Sequence, residues 1–423
     1  MSTNSSIAVI GLGYVGLPLA QLFVAEGYRV IGVDIDQAKI ESIQQKKSYV
    51  SDISDADLRA MVESSRFEAT PDFRRVQEAD YIVICVPTPL TNREPDITYI
   101  KSAVTSIAPY LRENQTVILE SSTYPGTTEE IVKPLLEQNP QSLIIGQHLY
   151  LGYSPERIDP GNKQLTLRQI PKVISGVTSA CLEKVKAFYG QVFETIVPVT
   201  STKVAEFVKM LENSQRLINI SFINEVNLLA NRMQVDLWEV IEAAKSKPLG
   251  FTPYYPSAGI GGHCIPVDPF FLSWIGLREG VPLTMIHLAG MINERMPHEI
   301  VGRVLEELDK KGIDPQNASV GIIGLTYKKD VNDIRESAAL RVIEHLLMKK
   351  VNVSVYDPMY TGEPPFQVNR FELTPEALGK QDIVVVLVDH SAMDWQQIAM
   401  HSQCVIDTRN IVPNQAGTEI IRI

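Results

Sequence analysis

"IAVIGLGYVGLPLAQLFVAEGYRVIGVDID", residues 7–36, decides the fold. Residues 7–10 form an unbroken apolar run, the pattern of a strand buried on both faces of a parallel sheet. Gly11, Gly13 and Gly16 follow as G-x-G-x-x-G, with Tyr14 and Val15 inside the turn. A helix opens there, and the next strand, "RVIGVD", closes on Asp34. Strand, glycine turn, helix and acid-terminated strand together make the dinucleotide fingerprint in its confirming context. Gly11 permits the tight turn, Gly13 lets a pyrophosphate approach the backbone, and Gly16 lets helix and sheet pack closely. The helix N-terminus then faces the phosphates. Asp34 is expected to accept hydrogen bonds from ribose hydroxyls and to repel a 2′-phosphate, which selects NAD over NADP. The plain alternative is a tight turn with no ligand.

Further strands are expected in "ADYIVICVPTP" (79–89), "QTVILESST" (115–123) and "SLIIGQ" (142–147). Strands alternating with helices imply a doubly wound parallel sheet, with ligands at the carboxyl ends of its strands. Those ends carry Val86, Pro87 and Thr88, and Ser121, Ser122 and Thr123. Small hydroxyl residues suit a ligand-facing rim, and they are also ordinary strand-ending turn residues.

Residues 202–233 contain neither Gly nor Pro. Val204, Phe207, Val208, Leu211, Leu217, Ile218, Phe222, Val226 and Leu229 recur at a helical period on a broad face. The spacing predicts a spine of about 32 residues and roughly 48 Å. From Ala318 a second strand, glycine turn, helix and strand run to Asp357, followed by "QDIVVVLVDH" and "QCVIDTR". Its glycine turn is less complete, so its ligand need not be a dinucleotide. "GEPPF" (362–366) reads as a surface loop. The expected fold is α/β: two Rossmann-like doubly wound domains joined by a long central helix and an α-helical middle domain. The expected divisions are 1–200 for the NAD-binding domain, 201–300 for the helical domain and 315–423 for the C-terminal domain.

The 423 residues are 44% hydrophobic and 21% charged, as in a soluble globular protein, and suffice for two or three domains. No apolar run reaches the length of a membrane span. The opening "MSTNSSIAVIG" lacks the basic and apolar regions of a signal peptide, so a cytoplasmic setting is expected. A formal charge of −11 argues against non-specific nucleic-acid binding but allows an anionic ligand where basic residues gather. Cys85, Cys181, Cys264 and Cys404 are scattered without a C-x-x-C pair, so neither a disulfide framework nor a metal site is expected.

The chemistry centres on "SAGIGGHCIPVDPFFL" (257–272). Cys264 follows Gly261, Gly262 and His263 and precedes Pro266, Asp268 and Pro269. The prolines suit a loop or the first turn of a helix, and a thiol near a helix N-terminus is the more nucleophilic for it. A lone cysteine is more often a packed small hydrophobe; a glycine cluster, a histidine and an aspartate beside it favour function. His263 is equally a turn residue. Lys209 and Asn213, four apart, share a face of the long helix, as partners at a site or as a solvated stripe. Cys85 reads as core, in mid-strand; Cys181 falls in a helix and Cys404 just before a strand.

"GLGYVGLP", "CVPTP", "SSTYPGTT", "YSPER", Lys209 with Asn213, "GGHCIPVDPFFL" and "GLTYKKDVNDIRES" occur in the order found in UDP-sugar dehydrogenases. The chain resembles that family over essentially its whole length, and its glycine–cysteine loop is closest to the branch acting on UDP-N-acetylhexosamines, UDP-N-acetylglucosamine 6-dehydrogenases in particular. The resemblance implies a four-electron oxidation of a C6 alcohol to a carboxylate with two NAD. Cys264 would add to the aldehyde as a thiohemiacetal, and further oxidation would leave a thioester for water to hydrolyse. An aldehyde is a poor hydride donor until a nucleophile adds. Lys209 and Asn213 would stabilise oxyanions at C6. Asp268, with a water or Lys209, would manage protons, and Thr123 would help hold that water. Glu156 of "SPER", beside Arg157, matches the glutamate linked to thioester hydrolysis. Lys39, Thr88 and Arg335 match cofactor contacts. Pro253, Tyr254, Tyr255, Pro256, Ser257, Gly261 and Lys328 match substrate contacts, with Lys328, Lys329 and Arg335 offsetting the charge of UDP.

Two departures stand out. UDP-glucose dehydrogenases carry a lysine before the catalytic aspartate and a second glutamate four residues past the one matching Glu156; here these are Val267 and Pro160. Both support the N-acetylhexosamine branch. The family's cross-subunit arginine has no clear match, Lys247 being merely nearby. A β-hydroxyacid dehydrogenase shares the first domain and a Lys-x-x-x-Asn helix but needs neither the thiol nor the second mononucleotide fold, and it yields one NADH per substrate rather than two. A non-catalytic sensor would not need Lys209, Asn213, Cys264 and Asp268 together. UDP-glucose and the manno and galacto epimers are the alternative substrates. A homodimer and a role in cell-surface polysaccharide synthesis are expected, with no nucleic-acid or membrane partner.

Overall fold

A computed structural model of the protein describes residues 5–50, 52–91, 94–157 and 165–423. The chain forms two compact units, one running to Glu212 and including Val267–Pro282, the other comprising Asn213–Pro266 and Leu283–Ile423.

The first unit is built on the fingerprint. Strand β1 (Ser6–Ile10), helix α1 (Gly16–Ala25) and strand β2 (Arg29–Val33) stand where the apolar runs and glycine turn place them. There follow β3 (Phe67–Thr70), β4 (Tyr81–Ile84), β5 (Thr116–Leu119), β6 (Tyr150–Tyr153), β7 (Lys172–Gly176) and β8 (Ile196–Pro198). The spatial order is β8-β7-β6-β5-β4-β1-β2-β3. Strands β1 to β6 are parallel, and β7 pairs antiparallel with β6, Gly152 opposite Gly176. The order reverses at β1, flanked by β2 and β4, which opens a ligand crevice at the carboxyl ends of β1 and β4. Ile7, Val9, Leu17, Phe23, Tyr28 and Phe188 fill the core, with Tyr81 stacked on Phe188 at 4.1 Å between ring centroids.

Helix α2 (Thr202–Arg232) is the expected spine, 31 residues long. In the second unit come α3 (Leu237–Lys245) and α5 (Thr284–Lys310); α4 (Asp268–Arg278), between them in sequence, belongs to the first. The second sandwich comprises β9 (Ser319–Ile323), α6 (Ala338–Met348), β10 (Asn352–Tyr356), β11 (Asn369–Arg370), β12 (Ile383–Val386), β13 (Cys404–Asp407) and β14 (Glu419–Arg422). Its sheet runs β11-β10-β9-β12-β13-β14, all parallel, again with the order reversing at the first strand.

Two expectations are corrected. "SLIIGQ" is not a strand: Ser142 and Gly146 both take positive φ, Asn139 hydrogen-bonds the Leu143 amide and carbonyl, and Ile144 is exposed. The strand comes one turn later, at β6. Cys85 is not mid-strand but the first residue past β4, buried under the glycine turn. The apolar positions of the spine divide: Leu217 is buried, and Val208, Ile218 and Val226 are half-buried. Val204, Phe207, Leu211, Phe222 and Leu229 are exposed, while Glu206, Lys209, Ser221, Asn224 and Asn227 are buried. Glu206, Lys209, Ser221 and Asn224 have hydrogen-bond partners on that side.

Candidate active site

The first unit carries the cofactor turn. A Cβ on Gly16 would lie 1.8 Å from the Gly11 carbonyl oxygen, so only glycine lets α1 begin so close to β1. A Cβ on Gly13 would meet nothing within 4 Å. The backbone is therefore open to a ligand at the position where the fingerprint expects a pyrophosphate. Tyr14 and Val15 pack on the core below. Asp34 is buried at the end of β2, its Oδ2 accepting from the Leu12 amide (2.8 Å) and Lys39 Nζ (3.1 Å), its Oδ1 from the Asp36 amide (2.9 Å). These use three of a carboxylate's roughly four acceptor positions, leaving capacity for a hydroxyl donor. Val86, Pro87 and Thr88 follow β4; Pro87 is exposed and Thr88 buried. An open glycine backbone above a helix N-terminus and an acid closing the second strand fit NAD.

Beside this turn lies a group of buried charges. Lys209 on α2 and Glu156, past β6, form an ion pair of 3.1 Å with both side chains almost fully buried. Arg157 is forked onto Glu212, with Nη2–Oε1 2.5 Å and Nε–Oε2 3.2 Å. Thr123 is buried, its hydroxyl donating to Thr127 Oγ1 at 2.6 Å; Ser122 is half-buried. Asp268 is fully buried at the first position of α4, where the helix dipole favours a carboxylate. Burial drives the Tyr153 hydroxyl pKa up; Lys209 lowers it, and Glu206, Asp268 and Glu120 raise it.

Glu206, one turn before Lys209, went unread in the sequence. It is fully buried, and it accepts from the Gly126 amide (2.5 Å), the Thr128 amide (2.8 Å) and the Thr128 hydroxyl (2.6 Å). It thereby clamps the turn after Thr123 onto the helix that carries Lys209. Burial raises its pKa from 4.5 to about 7 against those donors. Charged and amide residues recur along the whole of this helix, so the sequence held no signal that set Glu206 apart.

The second unit holds the glycine–cysteine loop. A Cβ on Gly261 would lie 2.6 Å from the Glu336 carbonyl oxygen and 2.7 Å from Tyr327 Cβ, and the Gly262 amide donates to the Arg335 carbonyl at 3.0 Å. The glycines thus serve the protein's own packing: they seat the loop flat against the sandwich. Cys264, partly exposed, stands two residues beyond. Asn293 of α5 holds the Ile260 amide at 2.7 Å, and Asn224 of α2 holds the Ser257 amide at 2.9 Å. Neither asparagine was singled out in the sequence, since both act on backbone far away in the chain. Pro253, Tyr254 and Tyr255 are half-buried and Pro256 buried; Tyr255 stacks on Trp238 at 5.2 Å and donates to Glu242 at 2.6 Å. Asn213, half-buried, lies one turn past Lys209 on α2. Arg335 is paired with Asp333 (Nη2–Oδ2 2.7 Å), Lys329 with Asp389 (3.8 Å), and the Lys328 carbonyl accepts from Thr326 Oγ1 at 3.0 Å. Val267 is buried, and Pro160 lies outside the described residues.

Comparison with known proteins agrees. Residues 5–193 match the NAD binding domain of the UDP-glucose/GDP-mannose dehydrogenase family, residues 203–295 its central domain and residues 321–414 its UDP binding domain. The chain belongs to this family of NAD-dependent nucleotide-sugar oxidoreductases. It is 33% identical to a UDP-N-acetyl-D-mannosamine dehydrogenase of Methanococcus aeolicus, covering 98% of this chain and 93% of that one. It is 34% identical to a UDP-N-acetyl-D-glucosamine 6-dehydrogenase of Pseudomonas aeruginosa, covering 91% and 90%. A UDP-D-ManNAc dehydrogenase structure from Pyrococcus horikoshii superposes with a TM-score of 0.88 at 32% identity, covering 99% of each chain. Among the described residues no helix is long and apolar enough to cross a membrane.

Proposed function

We propose that the protein oxidises the C6 hydroxyl of a UDP-N-acetylhexosamine, UDP-N-acetylglucosamine first among them, to the uronate. UDP-N-acetylmannosamine is the second reading, favoured by relatives of that name at similar identity. UDP-glucose is the third. The observation that carries the reading is the buried Lys209–Glu156 pair at 3.1 Å, a cation and a carboxylate desolvated beside a dinucleotide turn.

NAD, when bound, accepts a hydride in each of two oxidations. The chain's own residues do the rest. The Gly11–Gly13–Gly16 turn, Asp34 and Lys39 hold the cofactor, with Tyr14, Val15, Val86, Pro87, Thr88, Ser122, Thr123 and Arg335 as further contacts. Cys264 adds to the C6 aldehyde, converting a poor hydride donor into a thiohemiacetal, and afterwards carries the acyl group as a thioester. Lys209 and Asn213 stabilise oxygen anions at C6. Asp268, with a water or Lys209, manages protons, Thr123 helps hold that water, and Glu156 serves thioester hydrolysis. Arg157, the residues from Pro253 to Ser257, Gly261 and Lys328 bind the nucleotide sugar. These roles divide the chain at 1–200, 201–300 and 315–423.

A homodimer is part of the proposal. In the second unit α2 exposes Phe222 and Leu229, and α5 exposes Met285, Leu288 and Met291, apolar side chains that a partner copy would remove from water. We place the enzyme in the cytoplasm, supplying precursors of a cell-surface polysaccharide. The test is NADH formation across a panel of UDP-sugars. Two NADH per UDP-N-acetylhexosamine are expected, and turnover of UDP-glucose alone would remove the substrate assignment.

A further inference from the structure

A second buried ion pair lies beneath Glu156. Lys172, the first residue of β7, places Nζ 2.6 Å from Glu120 Oε2, with both side chains essentially inaccessible. The Tyr189 hydroxyl donates to the other Glu120 oxygen. Lys172 Nζ also reaches the Pro155 carbonyl at 3.5 Å and sits 5.3 Å from the ring centroids of Tyr189 and Phe193. Glu120 is the residue after β5, three before Thr123, and Pro155 is the residue before Glu156. Lys172 therefore ties together the ends of two adjacent strands that lead to Thr123 and to Glu156. Glu120, Lys172, Glu156 and Arg157 also line one small cavity.

A buried ion pair is weak support for a fold, because apolar residues of similar volume commonly do as well. This one is aimed: it joins the two loop ends through side chains that cannot reach solvent. We propose that Lys172, held by Glu120 and Tyr189, is a positioning residue for Glu156. It bears on the hydrolytic half of the reaction more than on hydride transfer. The inference rests on the proposed role of Glu156 in thioester hydrolysis.

The test uses full-chain enzyme with NAD and whichever of UDP-N-acetylglucosamine and UDP-N-acetylmannosamine the wild type oxidises. Lys172→Met is compared with Lys172→Met/Glu120→Gln, which removes both charges and leaves no buried ion unpaired, so the double variant carries the test if the single one does not fold. Stopped-flow NADH formation and intact-protein mass are recorded. The first-turnover burst is expected to stay within about twofold of wild type, while steady-state turnover falls at least about tenfold with KM values little changed. A covalent sugar adduct should accumulate on Cys264. A purely structural role would lower burst and steady state together without an adduct. That result, or wild-type turnover in the double variant, overturns the inference. Glu156→Gln separates the two layers: if it stalls with an adduct and the Lys172 variants do not, the inference alone fails. If Glu156→Gln shows no stall, the role of Glu156 fails and the inference with it.

Discussion

Lys209 Nζ and Glu156 Oε2 lie 3.1 Å apart, each on a side chain with about one-twentieth of its surface exposed. Charges this deeply buried are tolerable only as a pair. Lys209→Met or Glu156→Gln alone is expected to destabilise the protein by about 3–5 kcal/mol, because one ion remains unpaired. The double variant should recover most of that loss and none of the activity. Urea unfolding of the three variants, read beside NADH formation, checks both halves.

Glu206 makes stability depend on pH. Its carboxyl titrates at about 7 in the fold, above its ordinary 4.5, because of burial. Between those values the folded chain binds more protons than the unfolded one, so stability is fully present below about 4.5 and falls as pH rises through about 7. Glu206→Gln should flatten that slope in urea melts at pH 5, 6, 7 and 8. A slope unchanged by the substitution would assign it to other groups.

Asp34 predicts cofactor choice. Asp34→Ser removes the acceptor for the Leu12 amide and for a ribose hydroxyl. The KM for NAD should rise about tenfold or more while discrimination against NADP falls, since a charge-assisted hydrogen bond and a like-charge repulsion are lost together. Initial rates with both cofactors measure this.

Gly261→Ala should uncouple fold from function. Its Cβ would press on the Glu336 carbonyl at 2.6 Å and tilt the loop that carries Cys264. Circular dichroism should be unchanged, with kcat down at least about tenfold, as displacement of a reacting group by an ångström can cost more than that.

Phe222→Asp and Met291→Asp place charges on exposed apolar surface, both positions being more than half exposed in the single chain. Sedimentation should show wild-type dimer and variant monomer. Monomeric wild type would remove the dimer from the proposal.

What the sequence disclosed follows from how local each signal is. The turn at Gly11 to Gly16, the spine helix and the strand–helix–strand unit that opens the second sandwich and closes at Asp357 are written in consecutive residues, and they stand where they were read. "SLIIGQ" misled because apolar composition cannot register the positive φ at Ser142 and Gly146 that breaks a strand. Which side of the spine is buried was not legible, because periodicity reports where apolar residues lie, not which side is covered; Glu206 and Lys209 face inward because donors and a carboxylate from elsewhere meet them. Lys172 and Glu120 are 52 residues apart and lie in no motif, so only the sheet order brings them together.

The most direct measurement is the mass of the enzyme quenched during turnover with NAD and a UDP-N-acetylhexosamine. A sugar-derived adduct mapping to Cys264, absent from Cys264→Ser while that variant still binds the nucleotide sugar, is what the account predicts. Uronate accumulating at the wild-type rate from Cys264→Ser, with no adduct ever found on the wild-type thiol, would contradict it.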